Sequence, residues 1–112
     1  MKDEYIRSAK VLRVIDGDTI VVDIDLGFGI WKRKQRLRIL GVDCPEMTGA
    51  TREAGKTAKA FTEMMLDGRD VTVKTYVHDT DSFGRVLADV EVDGVDMGTE
   101  LLRSNHAVPK NS

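Results

Sequence analysis

The 112-residue chain has one cysteine, few aromatics (5%) and no long apolar run. Each shortage excludes something. A lone Cys44 cannot close an internal disulfide, so the fold must hold without a covalent staple, which fits a reducing compartment. No apolar stretch approaches the roughly 18 residues that a membrane-spanning helix requires. The first residues carry Asp3 and Glu4 and no apolar run of the secretory-leader kind, so a cytoplasmic location is expected, with a phage-borne origin as a variant of it. Positive charge is not in excess either. Seventeen basic residues against 19 acidic ones leave a net charge of −2 and a pI near 5.7. That balance argues against a protein that grips nucleic acid by bulk electrostatics alone.

What remains is ordinary globular composition, 41% apolar and 32% charged, at a length expected to form one domain over residues 1–112. The charge is unevenly spread: Lys32, Arg33, Lys34, Arg36 and Arg38 fall within seven positions. The bland reading of that run is a solvated strand edge.

Hydrophobic periodicity predicts strands over residues 5–15, 19–26 and 35–40. In the second, Ile20, Val22, Ile24 and Leu26 face the core, and Val21, Asp23 and Asp25 face away. Asp16-Gly17 and Asp93-Gly94 are hairpin-turn signals. Residues 27–31 are expected to form a loop packed over one mouth of the barrel. A helix is predicted over residues 52–66, with an apolar stripe of Ala54, Ala58, Phe61 and Met65, Thr51 as N-cap and Gly68 as stop. Strands over 71–77 and 86–92, a turn-rich loop at 78–84 and a short helix over 97–104 complete the chain. This order describes an α+β, mainly β fold: a five-stranded OB-type barrel with a helix between strands 3 and 4 and a short helix after strand 5.

Residues 36–46 start as a strand, and Gly41 and Pro45 then end regular pairing in a loop that delivers Asp43 and Glu46. A guanidinium and two carboxylates so close together are the parts for attack on a phosphate ester. Because the second and third strands are antiparallel neighbours, the start of one lies beside the end of the other, so Asp18 and Asp43 are expected to meet. Apposed carboxylates repel unless a cation or a proton sits between them, and such hard oxygen donors suit Ca²⁺, Mg²⁺ or Mn²⁺ rather than zinc. An EF-hand does not account for them, since Ile20 and Gly27 stand where oxygen ligands belong after Asp16 and Asp18, and the Asp79–Gly84 pattern ends on Val90. Bland readings stand beside these: Asp16 as a turn residue, Arg38 and Arg85 as edge-strand cations, Cys44 as an inert small hydrophobe, His78 and His106 as solvent-facing.

Three blocks in order, residues 14–20, 36–46 and 81–88, with a fourth at 94–103, resemble the staphylococcal nuclease family over nearly the whole chain. The resemblance implies a nuclease-type OB barrel with a Ca²⁺-dependent phosphodiesterase site. Asp18 and Asp43 match its metal-binding aspartates, and Cys44 falls where the family offers a main-chain carbonyl to the metal. Glu46 matches the glutamate that activates or orients water, and Arg38 and Arg85 match the arginines that bind phosphate. Phe83 stands where a Tyr is frequent and is the remaining candidate for substrate contact. The implied activity is endonucleolytic cleavage of DNA, with RNA as a second substrate, single strands preferred and 3′-phosphate ends produced. Mg²⁺ or Mn²⁺ are the candidate substitutes, and a monomer or weak homodimer is the expected state. The short tail and scarce stacking aromatics depart from fuller members and imply weak binding with little base preference. They also motivate the alternatives, a non-catalytic nucleic-acid-binding module of the same fold or an assembly protein using the loop from Phe28 to Trp31 as its contact.

Overall fold

Strand alternation carries the first half of the chain into an antiparallel meander, β1 (Glu4–Asp16), β2 (Thr19–Gly27) and β3 (Ile30–Ile39). The computed structural model describes residues 4–80 and 85–110. After β3 come a two-residue strand β4 (Val42–Asp43), a single turn of 3₁₀ helix and helix α1 (Arg52–Leu66). Strands β5 (Asp70–Thr80), β6 (Val86–Val92) and β7 (Val95–Asp96) follow, then α2 (Met97–Arg103) and a second two-residue strand, β8 (Val108–Pro109).

Sheet order is β3-β2-β1-β5-β6-β7, and β3 also pairs in parallel with β6 through Leu37↔Val86, Arg38↔Leu87 and Ile39↔Ala88. The pairings among β1, β2, β3, β6 and β5 therefore close a ring, the OB-type arrangement expected from the order of elements. Its interior is filled by β-branched and aliphatic side chains, including Val11, Ile20, Val22, Leu37, Ile39, Val73 and Val90, with Leu66 and Leu101 from the two helices. Asp96 caps α2 by accepting the Thr99 N–H at 2.9 Å.

Several boundaries differ from expectation, each for a physical reason. Strand β3 begins at Ile30 rather than residue 35, because a tight reversal at Gly27, Phe28 and Gly29, all at positive φ, lets pairing resume at once. Residues 27–31 consequently do not cover the barrel mouth. They form the tip of a long hairpin, where Phe28 is 103% exposed. Strand β2 is buried on both faces from Thr19 to Ile24, while Leu26 lies out on the exposed arm. Strand β5 runs on to Thr80, into the expected turn-rich loop, whose Asp81, Ser82, Phe83 and Gly84 lie outside the described residues, as does the His78 side chain.

Helix α1 has the expected bounds but presents a different stripe. Gly55, Ala58, Thr62 and Leu66 are buried, Phe61 and Met65 lie at the margin, and Ala54 is exposed. Thr51 occupies the N-cap position without capping; its hydroxyl donates to the Glu46 carbonyl at 2.8 Å. Gly68 ends the helix at φ +70°, a conformation that favours glycine. His106, expected to face solvent, packs its ring 4.6 Å from that of Phe61.

Candidate active site

The end of the β2–β3 hairpin away from its tip, closed over by the rest of the fold, lies beside the β1–β2 turn. Gly17 and Asp18 form that turn, between the paired Asp16 and Thr19. A Cβ at Gly17 would come within 2.7 Å of Cys44 Sγ and 2.9 Å of Ala58 Cβ, so only glycine lets the β4 segment and α1 close over it. Thr62 reaches from α1 and donates its hydroxyl to Gly17 O at 2.7 Å. The turn that carries Asp18 is thus clamped from one side by a helix.

Asp18 is buried, at 7% exposure. Its Oδ2 accepts the Cys44 N–H at 2.9 Å and lies 3.5 Å from Arg38 Nη2, and its Oδ1 accepts the Thr19 hydroxyl at 3.1 Å. The same Arg38 Nη2 donates to Asp43 Oδ1, so the two carboxylates do meet, across one guanidinium nitrogen. Arg38 is no edge cation. It is 5% exposed, and its Nη1 donates to the carbonyls of Val42 at 2.8 Å and Ile39 at 3.1 Å. Arg85 joins through Thr19, donating from Nη1 to its Oγ1 at 3.0 Å.

These groups line an open cleft of about 400 Å³ together with Asp16, Cys44 and Glu46. The Asp16 carboxyl is pushed up from its ordinary value, first by burial and next by the charge of Asp18. Burial, then Asp18, pushes the Cys44 thiol up to about 12, which leaves it protonated at neutral pH and unfit as a nucleophile. The exposed Glu46 is fixed through its main chain: Thr51 holds its carbonyl, and α1 approaches so closely that a Cβ at Gly55 would lie 2.5 Å from Glu46 O. A larger depression of about 540 Å³ beside α1 offers Arg52, Lys56, Lys59 and Glu63 but no apposed carboxylates.

Six of the seven predicted site residues are thereby gathered around one cleft, and Phe83 lies outside the described residues. Sequence reasoning missed the positioning roles of Thr19, Gly55 and Thr62, and read Gly17 only as a turn residue and Thr51 only as an N-cap. It also missed β8, which pairs Val108 with Asp43 and Pro109 with Val42, while Lys110 N donates to Gly41 O at 3.0 Å. The chain's last described residues therefore buttress the Asp43 segment.

Among the described residues, no three or more His, Cys, Asp or Glu side chains gather as a ready metal cluster. The donor chemistry nevertheless fits a hard cation. Two carboxylates already converge on one positive centre, and Asp43 keeps its side chain 47% exposed to the cleft.

Fold and cleft together define an OB-type domain whose acids and guanidinia converge where its first two hairpins meet. Residues 36–111 match the staphylococcal nuclease homologue family, and the chain belongs to that family. It is 40% identical over 96 residues to a thermonuclease of Staphylococcus hyicus, covering 83% of this chain and 53% of that protein. A thermonuclease of Staphylococcus intermedius is 34% identical over 108 residues, covering 90% of this chain and 61% of that protein. A protein of Oryza sativa subsp. japonica described as a probable staphylococcal-like nuclease, CAN1, is 33% identical over 81 residues, 72% of this chain and 23% of its own length. The chain thus spans about half the length of the two thermonucleases.

Proposed function

We propose that the chain is an endonuclease that hydrolyses phosphodiester bonds of DNA, with RNA as a second substrate and single strands preferred. The observation that carries this reading is the convergence of Asp18, Asp43, Arg38, Arg85 and Glu46 on one cleft. Asp18, Asp43 and the Cys44 carbonyl are the groups that would hold Ca²⁺, or Mg²⁺ or Mn²⁺ in its place. Such a cation, when bound, would neutralise charge on a non-bridging phosphate oxygen.

The protein's own groups do the rest. Glu46 stands in the cleft to take or orient the proton of the attacking water. Arg85 is aimed by its bond to Thr19 and stands in the cleft as a second guanidinium for phosphate. Arg38 is anchored by Nη1 on two carbonyls and presents Nη2 to the carboxylates, where a phosphate oxygen competes for it. Guanidinium forks match phosphate oxygens two at a time, so Arg→Lys at either position is expected to slow turnover.

One observation favours a rival, a non-catalytic binding module: Arg38 Nη2 is engaged by both carboxylates, which offsets part of their charge and occupies a donor that a phosphate would need. Cleavage of single-stranded DNA in Ca²⁺, in Mg²⁺ and in chelator separates the two. Cleavage that needs the cation and is lost in Asp18→Asn and Asp43→Asn supports the enzyme. Nucleic-acid binding that is the same in chelator, with no cleavage in any condition, supports the module.

A further inference from the structure

The cationic run on β3 has a geometry that strand periodicity alone does not give. Residues directly opposite one another share a face of the sheet, and the register pairs Arg36 with Val21 and Arg38 with Thr19. Val21 is 5% exposed yet lies outside the core cluster, which takes Ile20, Val22 and Ile24 instead. Arg36 and Arg38 are therefore on the outer face. Trp31 is five positions before Arg36, an odd number, and in a regular strand it would point the other way.

A bulge corrects the parity. Between Val22↔Gln35 and Ile24↔Lys32, the single residue Asp23 faces both Arg33 and Lys34. Asp23, 7% exposed, accepts the Lys34 N–H at 2.8 Å and Arg33 Nη1 at 2.9 Å. Those bonds hold Lys34 at φ +53°, a conformation a lysine rarely adopts. Beyond the bulge Trp31 pairs with Asp25 on the outer face, and the Arg33 guanidinium lies over its ring at 5.4 Å from the centroid. Strand β1 adds Arg13, opposite Val21 on its other side. The two acids of β2 on this face are engaged, Asp23 by the bulge and Asp25 by the Gly27 N–H at 2.8 Å. In a chain of net charge −2, one sheet face thus carries exposed Arg13, Arg36, Lys34 and Trp31, and it leads to Arg38 in the cleft.

We propose that this outer face is a track for single-stranded nucleic acid, running about 20 Å from Trp31 down β3 to Arg38 at the reacting groups. Cations spaced along a strand with an aromatic platform at its end suit a phosphate backbone with stackable bases, and OB barrels bind oligonucleotides across the same two strands. The assignment of substrate class rests on the phosphodiesterase reading. The track adds to it a dependence on substrate length and a grip distant from the scissile bond.

Trp31 is the only tryptophan, so its emission reports on the far end of the track alone. The test is a titration in chelator, where cutting does not interfere, with a thymidine trinucleotide and a dodecanucleotide. The dodecanucleotide is expected to perturb Trp31 emission and to bind about tenfold or more tightly than the trinucleotide. Lys34→Gln and Arg36→Gln are each expected to lower the slope of log affinity against log salt by about 0.7. Trp31→Ala, followed by anisotropy of a labelled dodecanucleotide, is expected to weaken binding about fivefold or more. All three positions are exposed, and unchanged melting temperatures confirm that the variants fold.

Affinity and salt slope unaltered in all three variants would overturn the track even where cleavage is intact. Concentration-dependent mass that vanishes in Phe28→Ser, with no response of Trp31 to DNA, would overturn it in favour of self-association. Absence of cleavage alongside the expected binding changes would overturn the enzyme reading and leave the track standing.

Discussion

The two ends of the β2–β3 hairpin are built from the same pair of strands and use charge in opposite ways. At the closed end, near Thr19 and Arg38, the buried Asp18 and Arg38 and the half-exposed Asp43 satisfy one another, with two carbonyls and a hydroxyl, beside α1, β4 and β8. At the tip, near Phe28, apolar and cationic side chains stand in water, and the buried Asp23 shapes the arm. The difference teaches where rigidity is placed. A buried charge is tolerable only when every partner is in position, so the closed end is over-determined. The arm keeps its shape through a single local device.

The largest expected effect comes from breaking the closed end at its centre. Arg38→Ala strands a buried Asp18 carboxylate beside Asp43, and denaturant melts are expected to show a loss of about 3–5 kcal/mol. Next is Gly55→Ala, whose Cβ must displace the Glu46 main chain. Overpacking of this kind costs about 1–3 kcal/mol, and turnover is expected to fall with it, measured on the folded fraction. A smaller effect is expected from Asp23→Asn. The Lys34 N–H, then the Arg33 guanidinium, holds the Asp23 carboxyl below its ordinary 3.8. Its stabilisation is therefore present above that value and lost as pH falls through the lower folded value. The gap in urea midpoint between wild type and Asp23→Asn is expected to close as the solution is acidified. Phe28→Ser should move the midpoint least, within about 0.5 kcal/mol, because nothing packs on that ring. A large loss there would show that the tip is packed after all.

Much of this was legible in the sequence, because the signals were local. Alternation in residues 19–24 and 86–92 gave the strands, and the antiparallel meander alone brought Asp18 and Asp43 together. What escaped is long-range or has no period. Two-residue strands such as β4 and β8 carry no alternation to detect. The helix stripe was misjudged because small residues face the barrel: Gly55 and Thr62 are buried for close approach and for a hydrogen bond, not for hydrophobicity. Residues 27–31 looked like a loop because their glycines and apolar residues break alternation, yet positive φ at three successive residues makes a tight tip. The bland reading of Arg38 as an edge cation, set beside its phosphate-binding one, rested on its place in the run of Lys32, Arg33, Lys34 and Arg36, whereas its burial accompanies the long-range pairing of β6 with β3.

The central claim is that the closed end performs phosphodiester hydrolysis with Glu46 handling the proton. Its most direct test is the rate of Ca²⁺-supported cleavage of single-stranded DNA by wild type and Glu46→Gln purified side by side. Glu46 is exposed, so the substitution should leave the fold intact, and the rate is expected to fall by about 10²–10⁴. Equal rates in the two preparations would contradict the claim and assign the cleavage to something other than this cleft.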